Sequence, residues 1–127
     1  MNQPDMQAAV AAAQEIVPRI SPADAMALLA SSDALLVDVR EENELDASGK
    51  AKGALHVPRA AVADAADPAS PDHNPAFTPD RTILLCCGSG ARAALVGAAL
   101  LERGYTDVRN VGGLQDWVAA GGAVERA

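Results

Sequence analysis

A chain of 127 residues, half of them hydrophobic and carrying a formal net charge of −7, suits one compact domain and leaves no room for a second. Seventeen acidic side chains against ten basic ones argue against a surface made for phosphate backbones or anionic lipid, so neither nucleic acid nor membrane is an expected partner. Only Phe77, Tyr105 and Trp117 are aromatic and 29 residues are alanine, which implies a small aliphatic interior that folds without disulfides or a structural metal.

Residues 1–18 are expected to form a helical extension ahead of a domain spanning residues 19–127. Within it, residues 5–16 combine high helix propensity with few bulky anchors, and Pro18 stops them. No basic residue precedes Arg19, and Gln7, Gln14 and Glu15 interrupt the apolar stretch. The segment therefore reads as neither a secretory signal nor a membrane span, and a cytoplasmic protein is expected. Ser21-Pro22-Ala23-Asp24 supplies an N-cap, a first-turn proline and an acidic third position, predicting a helix that runs to Ser31. Residues 34–39 (ALLVDV) are the run expected of a strand buried on both faces. Residues 41–49 read as one polar helical turn and a loop, 54–57 as a short strand closed by Pro58, and 60–66 as a short helix. The segment 67–80 holds four prolines and reads as a surface loop. Residues 81–86 form a second buried strand and 91–103 the strongest helix, ended by Gly104. A last strand over 108–111 leads through Gly112 and Gly113 into a helix over 114–120. Strands alternating with helices through short connections predict an α/β fold, a parallel sheet with helices on both faces and ligands at the carboxyl ends of the strands.

One such end carries Cys86-Cys87-Gly88-Ser89-Gly90-Ala91-Arg92, between a buried strand and a helix N-terminus. Small residues let successive backbone amides face inward, and together with the positive end of the helix dipole they form a cradle for an anion. The same field favours a thiolate over a thiol, and the thiolate is the nucleophile. A disulfide between sequence neighbours is strained and rare, so reduced cysteines are expected. Side chains alternate along a strand, so the two cysteines should face different surroundings, Cys86 as a core residue and Cys87 as the first residue freed from the buried run. A dinucleotide fingerprint over Gly88 to Ala93 is refused by context, because only 34 residues follow and no acidic residue ends the next strand. Counted from Cys86, the segment has the Cys-x5-Arg spacing of a phosphatase loop; counted from Cys87, it is one residue shorter and closes around a single sulfur. Spacing alone leaves both registers open.

Four blocks in order, Val37-Asp-Val-Arg-Glu41, Gly53-Ala-Leu-His-Val-Pro-Arg59, Leu85 to Arg92, and Gly104-Tyr-Thr-Asp-Val108 with Val111-Gly-Gly-Leu-Gln-Asp-Trp117, resemble the rhodanese family from Ser21 onward. The resemblance implies a central parallel sheet of about five strands flanked by helices. It also implies a single-domain sulfurtransferase whose six-residue loop runs from a catalytic Cys87 through Gly88, Ser89, Gly90 and Ala91 to Arg92. Its substrates would be thiosulfate or a persulfide donor and a thiol or cyanide acceptor, with no cofactor and no metal. The related phosphatases and arsenate reductases use seven residues, the count from Cys86, and a non-catalytic binding module of the same family is a further alternative. Arg92 is the one charged residue of the loop, so docking a dianion calls on it and on Arg40 or Arg59. Asp38 and Arg40 are read first as an ion pair tying down the strand end, His56 as packed or capping a backbone group, His73 as solvated and Trp117 as a core anchor. No His, Cys, Asp and Glu spacing suggests a metal site.

Overall fold

The computed structural model of the chain describes residues 3–126. Along the chain it forms helix α1 (Gln3–Ile16), helix α2 (Pro22–Ser31), strand β1 (Leu35–Asp38), helix α3 (Glu42–Ser48), strands β2 (Lys50–Ala51) and β3 (Leu55–His56), and a 3-10 turn (Arg59–Ala61) leading into helix α4 (Val62–Ala65). Strand β4 (Ile83–Cys87), helix α5 (Ala91–Glu102), strand β5 (Val108–Gly113), helix α6 (Leu114–Ala119) and strand β6 (Val124–Glu125) complete it. The α2 start is capped as its sequence predicts, Ser21 Oγ accepting the Asp24 N–H at 3.1 Å, and α5 stops before Gly104. The acidic stretch forms two helical turns rather than one, and α1 begins two residues earlier than its composition suggests.

Strands β3-β1-β4-β5 form one parallel sheet. The sheet has four strands, with only an isolated bridge where a fifth would lie. Alongside β5, the Ile20 N–H donates to the Asn110 carbonyl at 3.1 Å and the Asn110 N–H to the Pro18 carbonyl at 2.8 Å. Pro18 and Pro22 lack the N–H groups that a longer ladder requires, so pairing stops there. A separate antiparallel pair, β2 with β6, closes the chain's end against the α3 exit through Lys50–Glu125, 2.5 Å apart.

Alternation along β4 divides the interior. Ile83, Leu85 and Cys87 join Val37 and Val39 under α4 and α5, while Leu84 and Cys86 join Leu36, Val111 and Trp117 under α2 and α6. Both sheet faces are thus covered, as the unbroken apolar runs require. Trp117 anchors α6 as expected, and its indole N–H donates to the Ala123 carbonyl at 2.8 Å. Helix α1 lies outside this frame and packs on α5, with Ala13 and Val17 buried. Gly97 of α5 makes that approach possible: a methyl there would stand 2.9 Å from Val17 Cγ1. An exposed helix glycine gains about 1 kcal/mol on replacement by alanine, whereas overpacking costs about 1–3 kcal/mol. Gly97→Ala is therefore expected to lower the denaturant midpoint, and adding Val17→Ala to restore part of it; stability above wild type in the single variant would show that α1 yields freely.

Candidate active site

Cys87 is the last residue of β4, hydrogen-bonded within the sheet opposite Gly113, and is fully buried. It is therefore not the first residue freed from the strand, as alternation alone suggested; the ladder to β5 extends one residue further because Gly113 continues the neighbouring strand. The two cysteines do face different surroundings, Cys86 toward α2 and α6 and Cys87 toward α4 and α5. Beyond Cys87 the chain turns through exposed Gly88 and Ser89 into Gly90, whose φ of +98° is left-handed and suits glycine. The Gly90 N–H donates to Cys87 Sγ at 2.9 Å. Helix α5 starts at Ala91, so the amides of its first turn have no carbonyl partners within the helix and present the positive end of its dipole to the loop.

Two residues of β5 hold this loop, and neither carries a signal in the motif itself. Asn110, almost wholly buried, donates from Nδ2 to the Gly90 carbonyl at 2.9 Å and accepts the Gly112 N–H on Oδ1 at 2.9 Å. A register shift between Leu85 and Cys86 against β5 accompanies the clamp, an irregularity common beside functional sites. Gly113 lies so close to the Gly88 carbonyl oxygen that a Cβ there would overlap it. The one hint of Asn110 in the sequence is an amide within the otherwise apolar Val108–Val111 stretch, where a polar side chain must find partners.

Two ion pairs frame the site. Asp38 is fully buried and receives the Arg40 amide at 3.0 Å and Arg40 Nη2 at 2.8 Å, while Arg40 also donates to Ser48 Oγ at 2.9 Å and the Gly49 carbonyl at 2.7 Å. The pair ties the end of β1 to the end of α3, the structural role read for it from sequence. Its partner Asp38 and further contacts hold the Arg40 guanidinium charged despite the burial that opposes it. The second pair was not legible: Arg92 donates from Nη1 and Nη2 to the two oxygens of Glu44 at 2.6 and 2.8 Å. Glu44 also accepts the Glu41 N–H at 3.0 Å at the start of α3. The Arg92 hydrogen bonds, then that amide, depress the Glu44 carboxyl to about 2. Burial, and after it the Asp38 charge, pushes the Cys86 thiol far above its ordinary value.

The remaining expected residues are spread out. Ala91 opens α5 and is half-buried. His56 faces the Arg40 carbonyl at 2.7 Å through Nε2, as a residue capping a backbone group should. Arg59 is exposed and lines an apolar cleft with Val62, Leu95 and Ala99, while its N–H donates to the carbonyl of Val39, between Asp38 and Arg40, at 3.0 Å. His73 is not solvated throughout: its Nε2 is buried without a hydrogen-bond partner among the described residues, because the proline-rich loop folds back on itself.

The arrangement is that of an α/β domain with a thiol at the carboxyl end of a central parallel strand, next to a helix N-terminus. The chain belongs to the rhodanese-like domain family, which matches residues 21–120. It is 29% identical over 109 residues to the thiosulfate sulfurtransferase GlpE of Actinobacillus succinogenes, covering 85% of this chain and 90% of that one. A Rhodopseudomonas palustris structure, called a protein of unknown function and possible tyrosine phosphatase, superposes with a TM-score of 0.87 at 32% identity over 94% of this chain and 93% of that one. The polysulfide-sulfur transferase homodimer of Wolinella succinogenes gives 0.70 at 31% identity over 92% and 84%.

Two outcomes are expected. Because Glu44 is depressed to about 2 from 4.5, its contribution to stability is complete above pH 4.5 and is lost as pH falls through 2. Glu44→Gln should thus melt lower than wild type at neutral pH and match it near pH 2. Arg40→Ala leaves Asp38 charged and buried, and should cost about 3–5 kcal/mol in denaturant unfolding.

Proposed function

We propose that the protein is a sulfurtransferase in which the Cys87 thiolate attacks the outer sulfur of thiosulfate or of a persulfide donor. A bond forms between Sγ and that sulfur, the donor's S–S bond breaks, and the electron pair leaves on sulfite or on a thiolate. The resulting Cys87 persulfide then gives its terminal sulfur to a nucleophilic acceptor, a thiol or cyanide, which regenerates the thiolate. The two half-reactions balance without an external oxidant and follow a ping-pong order. Loop amides from Gly88 to Arg92 stabilise the anionic sulfur in both states, and the helix terminus adds its partial charge. Attack requires the loop to bare a sulfur that is buried at rest.

The observation that carries this reading is the placement of Cys87 Sγ inside the six-residue loop, in contact with the Gly90 amide, while Cys86 faces the opposite core. The sulfurtransferase names of relatives at about this length support it. The name of the Rhodopseudomonas neighbour raises the phosphatase alternative, and a thiol pushed up by burial makes Cys86 a poor nucleophile for it. A binding module without chemistry needs no cysteine in the loop. Asp38 and Arg40 act in this scheme by fixing the strand end, and Arg59 is given no part in the chemistry. We assign residues 1–18 as an extension ahead of a domain spanning 19–127, with residues 1, 2 and 127 outside the described residues; the described part of the extension, from Gln3, packs on α5. Among the described residues no helix is long and apolar enough to cross a membrane, and two reduced cysteines suit the cytoplasm.

Intact-mass measurement after incubation with thiosulfate should show the gain of one sulfur, reversed by cyanide. Cys87→Ser should abolish that gain; Cys86→Ser should retain it and lose about 1–3 kcal/mol of stability by placing a hydroxyl in the strand interior. Sulfur carried by Cys87→Ser and not by Cys86→Ser would overturn the assignment, as would turnover of phosphate monoesters in place of thiosulfate.

A further inference from the structure

The loop's charge is decided outside the loop. Arg92 is its one cation, and in a protein of net charge −7 it is the natural attraction for an anionic donor. Its guanidinium stands at the mouth of the loop: a Cβ on exposed Gly88 would lie 3.1 Å from Arg92 Nη2. Both of its terminal nitrogens, however, are engaged by the two oxygens of Glu44 in a forked pair, the strongest geometry available to an arginine and carboxylate. Glu44 is in turn held to the Glu41 amide at the start of α3, and each side chain is about one-third exposed, 32% in both cases. The pair therefore meets incoming solutes as a neutral unit, while in the proposed reaction Cys87 attacks as an anion.

We propose that Glu44 is a specificity-determining residue of the Cys87 loop, neutralising Arg92 so that sulfur donors of low charge are favoured over dianions such as thiosulfate. This rests on the sulfurtransferase reading above. A thiosulfate ion must either displace Glu44 from Arg92 or approach a thiolate with no net positive charge to offset the repulsion. A persulfide of an organic thiol, or a thiosulfonate monoanion, meets less of that repulsion and offers the same S–S bond to break. Glu44 acts through Arg92 and needs no contact with the donor.

The test compares wild type with Glu44→Gln and Glu44→Ala, each first checked for folding by thermal unfolding. Two donors carrying the same transferable sulfur are used, thiosulfate and the monoanion benzenethiosulfonate. The ratio of kcat/KM for thiosulfate to that for benzenethiosulfonate should rise about fivefold or more in Glu44→Gln, through a lower KM for thiosulfate, and the rise should shrink with added salt. A purely structural role would depress both donors together and leave the ratio where it was, which would overturn the proposal. A second arm is independent of sulfur transfer. Alkylation of Cys87 by anionic iodoacetate relative to neutral iodoacetamide, read by peptide mass, should rise in both variants. If wild type gains no sulfur from either donor, the sulfurtransferase reading fails, and this alkylation ratio alone decides whether Glu44 sets the charge of the loop: a rise upholds that role and an unchanged ratio refutes it.

Discussion

The contact between the carboxyl end of β5 and the loop after β4 is the constraint on which the site depends. Asn110 ties the Gly90 carbonyl to the Gly112 amide, and Gly113 admits the Gly88 carbonyl to a distance that no side chain would allow. With Gly90 fixed from behind, its N–H is aimed at Cys87 Sγ, and α5 begins at the next residue, Ala91. The resting conformation of the loop is thus set by a neighbouring strand.

Charge in this region is arranged in two tiers that differ in burial. Asp38 and Arg40 are nearly inaccessible, and their worth lies in geometry: a buried pair is expensive to desolvate and more expensive to break. Their additional bonds to Ser48 and Gly49 bring the whole of α3 to the strand end, which in turn delivers Glu44 to Arg92. The second pair is about one-third exposed, where pairing contributes modestly to stability. Its larger consequence is electrostatic, because it decides whether the loop presents a cation. Asp38, Arg40 and Glu44 all come from one short acidic stretch, so the strand end, the helix and the charge of the site are set together.

Opposite orientation of the two cysteines separates the chemistry that each can carry. Cys86 belongs to the core shared by α2 and α6 and is held as a thiol by burial. Cys87 sits at the other face, where the N-terminus of α5 meets the sheet. A shift of one residue in the pairing of β4 would exchange these roles, since the side-chain period of a strand is two.

Local rules made much of the chain legible in advance. Continuous apolar runs at 34–39 and 81–86 marked strands buried on both sides, Ser21 with Pro22 marked the α2 start, and small residues between a strand and a helix marked the loop. The particular residues that complete the site were not legible, because they are joined across space rather than along the chain. Glu44 lies 48 positions from Arg92 and Asn110 lies 20 from Gly90, and no periodicity or spacing encodes such meetings. Even the extent of β4 was decided at a distance, since Gly113 on the adjacent strand keeps Cys87 in the ladder. By itself, then, the sequence determined the parallel α/β order, the loop and its nucleophile candidate, all of which follow from propensity, burial and spacing within a few residues. Tertiary structure alone decided which cysteine faces the helix terminus, what clamps the loop and whether its arginine is free, because those depend on packing and Coulomb interactions between segments that only the closed fold brings within a few ångströms.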